Sequence, residues 1–231
     1  MSQESLLIGK GLLTPLQEMF LALFAEIPDQ DQFYLTGGTA LSEYYLGHRL
    51  SFDLDFFTGV DSLVLPVSFL VEKKVTSRQM EVSVIRRFAS YVEFLIKRGE
   101  EQLRIDLALD SPFRFQPPRR SAQGFLVNNY TDLCIYKLLA YYGRAEPRDA
   151  VDLFFILKND SLEELLHRAV QKDTGFDLYW FAVALQHSAS YPDEVDRWPV
   201  KMLIEWDPIA IKYNFARIAQ EILARLEHGS Q

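Results

Sequence analysis

Two hydrophobic rhythms divide the chain. Up to about residue 110 most apolar runs alternate with polar residues, the period of a half-buried strand; beyond about residue 130 apolar residues recur every three or four, the period of an amphipathic helix. One helix precedes the strands. Thr14-Pro15-Leu16-Gln17 supplies an N-cap, a proline at the first helical position and a glutamine two residues after it, opening a helix that runs to about Ile27. Pro28-Asp29-Gln30-Asp31 ends it.

The spacing then predicts a strand at 33–35, a turn at Gly37-Gly38, a helix at about 39–46 and a second strand at 51–57. Residues 61–73 are helix-like but interrupted by Pro66. Three β-rich runs follow at 80–88, 91–97 and 103–109, and the polar connection Arg98-Gly99-Glu100-Glu101 joins the last two as an antiparallel hairpin. Residues 111–123, rich in Pro, Arg and Ser, read as a loop and as the boundary between halves. Helices are expected at 130–142, stopped by Gly143, and at 147–158. Another opens at the capping box Ser161-Leu162-Glu163-Glu164, with two more at 177–189 and from Asp207 to about 226. The order predicts an α+β fold, a sheet with helices in front and an all-α part behind.

Composition narrows the class. The chain has 231 residues, 48% of them hydrophobic and 13% aromatic, enough for a substantial core. Its one cysteine, Cys134, excludes an internal disulfide framework and a cysteine-based zinc site, and it suits a reducing compartment. Residues 1–13 lack a basic stretch followed by a long apolar one, so no secretory signal is read. The apolar segment 16–27 is broken by Gln17, Glu18 and Glu26, which excludes a membrane span and leaves the cytoplasm as the expected location. The formal charge of -8 opposes nucleic acid unless Lys73-Lys74, Arg86-Arg87, Lys97-Arg98 and Arg119-Arg120 gather in one cleft. The histidines have no metal-like spacing.

Candidate chemistry concentrates in two strands. Alternation puts Asp53 and Asp55 on one face of the 51–57 strand and Phe52, Leu54 and Phe56 on the other. Two carboxylates so close make sense chiefly around a cation, and Mg²⁺ suits an all-oxygen site. In the 103–109 strand Leu103, Ile105, Leu107 and Leu109 share a face and leave Asp106 on the other. If the two strands are neighbours, Asp106 completes a triad of the kind used in two-metal phosphoryl transfer, as nucleophile-side ligand or base. Gly37, Gly38 and Thr39 make a turn whose backbone can approach phosphate oxygens, with Thr39 as cap or phosphate ligand. Lys137, on a largely apolar helix, requires a counter-ion that a triphosphate would supply, or else it reaches to solvent. Asp149 and Asp152 suit the start of their helix by charge alone, or pair with Arg144 or Arg148. Arg49 is a candidate nucleotide or structural clamp, with Glu43 as its alternative partner.

Taken together, GGTALSEYYLGHRLSFDLDFF, LRIDLAL and YKLLAYYGRAEPRDAVDLFFIL resemble the AbiEii/AbiGii-type nucleotidyltransferase toxins of the DNA polymerase β-like superfamily, from Phe33 to about Leu157. The resemblance implies a polymerase β-like mixed sheet, with a nucleotidyltransferase core at 1–124 and a helical region at 125–231 that completes the active-site cleft. It implies Mg²⁺ (or Mn²⁺), a nucleoside triphosphate substrate, an acceptor such as a tRNA 3′ end or a protein, and a cognate antitoxin or phage-defence setting. It places Gly37, Gly38 and Thr39 at the phosphates, Asp53, Asp55 and Asp106 at the metals, and Lys137, Arg148-Asp149 and Asp152 on the helical wall.

Two other classes compete. Phe52-Asp53-Leu54-Asp55 is similar to the nucleophile strand of haloacid-dehalogenase-type phosphatases, but Phe56-Phe57 follows where those have Gly-Thr. A non-catalytic module that keeps the fold and binds an antitoxin or RNA is the other.

Overall fold

A computed structural model describes residues 5–229. Residues 1–4, the beginning of the stretch read as carrying no signal, and residues 230–231 lie outside them. The fold divides between Leu133 and Cys134 into two compact units.

In the first unit, helix α1 (Pro15–Phe24) opens with the reciprocal cap read from the sequence. The Thr14 amide donates to the Gln17 side chain at 2.9 Å and the Gln17 amide donates to the Thr14 hydroxyl at 3.2 Å. Strand β1 (Phe33–Thr36) leads directly into helix α2 (Gly37–Leu41), which continues as a π-helical turn at Ser42–Leu46. The helix therefore starts at Gly37, two residues earlier than expected. Strand β2 (Leu54–Thr58) starts three residues later than expected, so Ser51, Phe52 and Asp53 precede it. Helix α3 (Val64–Ser77) takes Pro66 within its first turn, where an amide hydrogen has no intrahelical acceptor to lose. The proline opens the helix instead of interrupting it.

Strands β3 (Glu81–Phe88), β4 (Tyr91–Arg98) and β5 (Glu101–Leu109) form an antiparallel meander. Its second turn is the expected hairpin, with Gly99 at φ +60°. The stretch read as a plain loop contains strand β6 (Arg119–Arg120), which pairs with β7 (Leu126–Val127); two residues are too few to show a period. The seven-stranded sheet has the order β3-β4-β5-β2-β1-β7-β6, with β2 parallel to β5 and β1 parallel to β7. It is mixed, as expected.

Helices α1 and α3 pack on β5 and on each other, so they cover one face. That face holds the core. Leu54, Phe56, Phe94, Ile105 and Leu107 are fully buried, and Phe56 stacks on Phe24 of α1 with ring centroids 4.1 Å apart. The opposite face carries the polar residues of the same strands.

The second unit is helical. Helix α4 (Tyr130–Arg144) runs through Gly143 and ends at Ala145, which adopts φ +47°. It is followed by α5 (Pro147–Ile156), α6 (Leu162–Lys172), α7 (Leu178–His187) and α8 (Pro208–Gly229). Ser161 stands at the N-cap of α6 but its side chain makes no capping hydrogen bond. Tyr141 packs edge-on against Phe215 and donates to the Ala184 carbonyl at 3.0 Å. Of the Tyr179-Trp180-Phe181 run, only Phe181 is buried, because three successive helical residues point in different directions. No helix among the described residues is long and apolar enough to cross a membrane.

Candidate active site

The chemistry of the first unit follows from strand register. Because β2 and β5 run parallel with Leu54 opposite Ile105, Asp55 stands directly opposite Asp106. The neighbouring pairings extend this row. Thr36 lies opposite Asp55 on one side, Glu93 lies opposite Asp106 on the other, and Arg86 lies opposite Glu93. Three carboxylates thus occupy consecutive strands on the face away from α1 and α3. Like charges placed so are destabilising unless cations offset them.

Asp53 sits one step before β2 and is held differently. Its backbone carbonyl accepts a short hydrogen bond from the Thr39 hydroxyl. Thr39 is only 2% exposed, and this bond ties α2 to the approach to β2. Phe52, expected on the buried side, is 52% exposed because no ladder yet fixes its direction.

The two glycines of α2 are required by close approach. A Cβ on Gly37, at φ +70°, would fall 1.9 Å from Oδ2 of Asp55. A Cβ on Gly38 would fall 2.5 Å from Nη2 of Arg49 and 2.9 Å from Oγ of Ser51. Gly37 therefore leaves room for the Asp55 carboxylate, and Gly38 for a nearly buried Arg49, which donates to the Leu50 carbonyl at 3.0 Å. Glu43 is not the partner of Arg49 weighed from the sequence. Its carboxylate accepts the amides of Gly11 at 3.0 Å and Leu12 at 2.7 Å.

Asp106 is engaged by Arg104, two residues earlier and on the same face. Nε and Nη2 of Arg104 donate to its two oxygens at 3.3 and 3.1 Å. The same guanidinium lies 3.2 Å from Glu93 and 3.5 Å from the Tyr91 hydroxyl, while Arg86 lies 3.4 Å from Glu93. Burial pushes the Asp106 carboxyl above its ordinary 3.8, against the pull of Arg104. Sequence reasoning passed over Glu93 and Arg104. Both were legible: Val92, Phe94 and Ile96 are the buried set of β4, which leaves Glu93 on the other face, and counting back from Arg98 opposite Glu101 aligns it with Asp106.

Among the described residues, no three His, Cys, Asp or Glu side chains converge closely enough to hold a metal ion. Of the expected triad, Asp55 and Asp106 face each other across β2 and β5, Asp106 is engaged by Arg104, and Asp53 precedes the ladder. The donor chemistry still fits a hard divalent cation. Asp55 and Asp106 are an all-oxygen pair on adjacent strands, and the missing Cβ of Gly37 lets the Asp55 carboxylate lie against the start of α2.

The second unit holds its own ion network. Lys137 is 7% exposed, and its ammonium lies 2.7 Å from Asp152 and 3.7 Å from Asp149. Arg144 donates to both oxygens of Asp149 at 2.6 and 2.9 Å. Asp149 and Asp152 have no exposed surface, so the counter-ion of Lys137 is a protein carboxylate. Asp149 takes the ion-pairing position weighed for it, with Arg144; Arg148 pairs with Glu146 at 3.0 Å.

The family profile described as "Nucleotidyl transferase AbiEii toxin, Type IV TA system" matches residues 20–199. The fold is similar to JHP933 from Helicobacter pylori, with a TM-score of 0.55 at 20% identity over 93% of this chain and 92% of that one. It is also similar to MenT4, a nucleotidyltransferase toxin from Mycobacterium tuberculosis, with a TM-score of 0.57 at 16% identity over 90% of this chain and 82% of that one. No curated protein matches the chain in sequence.

Asp152→Asn should cost about 3–5 kcal/mol of stability in urea unfolding, because it strips the nearest counter-ion from a buried ammonium; a loss below about 1 kcal/mol contradicts the network. Asp106→Asn should behave oppositely. Since the folded carboxyl titrates above 3.8, its ionisation penalises the fold at neutral pH, and stability is recovered as pH falls through the folded value. The variant should match or exceed the parent at pH 7, with the difference vanishing as the pH is lowered to 3.8.

Proposed function

The chain belongs to the AbiEii family of nucleotidyltransferase toxins, and we propose that it transfers a nucleoside monophosphate from a triphosphate to the 3′ end of an RNA, tRNA included, with Mg²⁺ or Mn²⁺. The observation that carries this reading is the register that sets Asp55 opposite Asp106 beside Gly37. The mixed, meandering sheet argues against the doubly wound phosphatase alternative.

Asp55 and Asp106 would hold the metal, with Asp53 as a further carboxylate ligand, and Asp106 would serve the attacking hydroxyl as ligand or base. A divalent cation held there would supply Lewis-acid stabilisation of the transferring phosphate and activate the attacking hydroxyl. Gly37 and Gly38 let the backbone approach the phosphates, while Arg49, locked against Gly38, keeps the turn in shape. Lys137 is assigned to substrate phosphate, exchanging part of its contact with Asp152, and Asp149 acts through Lys137 and Arg144. A cognate antitoxin and a cytoplasmic setting complete the reading, the latter supported by the single buried Cys134.

RNA is favoured over a protein acceptor by what lies next to the carboxylates. Phe57, Tyr91 and Phe88 share the carboxylate face one row along, with Phe88 62% exposed, and Arg86 and Arg104 flank them. Aromatic faces beside arginines suit unstacked bases and their phosphates.

Incubation with each α-labelled nucleoside triphosphate, Mg²⁺ and either RNA or protein acceptors should label RNA. Asp55→Asn should lower labelling at least 100-fold without loss of thermal stability. Absence of label with all four triphosphates would refute the enzyme reading and favour a binding module; label on protein alone would refute the RNA acceptor.

A further inference from the structure

Around Asp106 the protein supplies a cation of its own. Arg104 reaches both oxygens of Asp106 at 3.1 and 3.3 Å while lying 3.2 Å from Glu93. It can do so because residues two apart on a strand share a face, and because the planar guanidinium offers several donors in a fixed fork. Antiparallel pairing sets Leu95 opposite Arg104 and Glu93 opposite Asp106, so the guanidinium sits diagonally to Glu93, within reach of both acids. The Tyr91 hydroxyl adds a third contact at 3.5 Å.

A metal ion bound by Asp106 and this bidentate pair draw on the same lone pairs. Both cannot be fully satisfied at once. Glu93 is almost buried, is already touched by Arg104, and also has Arg86 at 3.4 Å. It is the carboxylate on which Arg104 can remain after giving up Asp106.

We propose that Arg104 is a positioning residue that competes with the divalent cation for Asp106, and that Glu93 is the seat to which it withdraws when the cation binds. The inference rests on the reading of Asp106 as a metal ligand. It makes Arg104 a brake on metal loading in the absence of substrate: the guanidinium occupies the second carboxylate until a cation, arriving with its triphosphate ligands, outbids it. The conversion is an exchange of ion pairs, with no bond made or broken.

Mn²⁺ titration followed by the electron paramagnetic resonance signal of the free ion reads this without turnover. Arg104 is 45% exposed on its side chain, so its replacement should leave the protein folded, with the melting temperature of each variant recorded alongside. Arg104→Gln should tighten Mn²⁺ binding about tenfold by removing a charge a few ångströms from the site. Arg104→Lys, which keeps the charge but lacks the fork, should lie between the two. Glu93→Gln should weaken binding by leaving Arg104 wholly on Asp106, and the weakening should shrink in the Arg104→Gln background. Adding Asp106→Asn should abolish the gain of Arg104→Gln. Equal or weaker Mn²⁺ binding in Arg104→Gln overturns the proposal while leaving the metal site standing. An undiminished Glu93 effect in the double variant makes Glu93 a metal ligand and overturns its role as a seat. Binding of Mn²⁺ by neither the parent nor Arg104→Gln removes the metal site and this proposal together.

Discussion

The parallel pairing of β2 with β5 is the constraint on which the candidate site depends. Its register is set from behind. Leu54, Phe56, Ile105 and Leu107 all bury their side chains on one face, and a slip of one residue would turn every one of them outward. Fully burying such a side chain is worth roughly 1.5–3 kcal/mol, whereas an unfavourable cross-strand pair costs about 0.2–1 kcal/mol. The apolar face therefore wins, and it forces Asp55, Asp106 and Glu93 into one row despite their mutual repulsion. Charge chemistry is imposed by hydrophobic packing.

The row is then tuned by what stands around it. Gly37 lacks the atom that would collide with Asp55, Thr39 anchors the carbonyl of Asp53, and Arg104 and Arg86 offset the acids on the β4 side. The ion network of the helical unit follows a different logic. There Asp149 and Asp152 are sealed from solvent and matched to Arg144 and Lys137, as buried charges must be. On the sheet, Asp106 and Glu93 share Arg104 and Arg86 across neighbouring strands; in the helical unit, Asp149 and Asp152 are matched to Arg144 and Lys137 inside the fold.

Much of this was legible in residue order. Alternation alone assigned Asp55 and Asp106 to the polar faces of their strands, and the cap at Thr14 and the hairpin at Gly99 appear as read. What escaped did so for local reasons. The strand at Asp53 starts late because Thr39 binds its carbonyl, a contact across fourteen residues that no period reveals. Pro66 reads as a breaker until its place in the first turn is known. Glu93 lacked a motif, and only counting register from the hairpin would have set it beside Asp106. Lys137 announced a need for a counter-ion, but the choice between phosphate and Asp152 is made by the packing of α4 on α5, which composition does not encode.

The most direct measurement is a crystal structure of the protein with Mn²⁺ and a non-hydrolysable nucleoside triphosphate, with the metal located by its anomalous scattering. The account predicts a Mn²⁺ peak bridging the carboxylates of Asp55 and Asp106 at about 2.0–2.3 Å, with triphosphate oxygens in its shell and Arg104 withdrawn to Glu93. A nucleotide bound with its metal away from both aspartates, or with Arg104 still clasping Asp106 beside the metal, would contradict it.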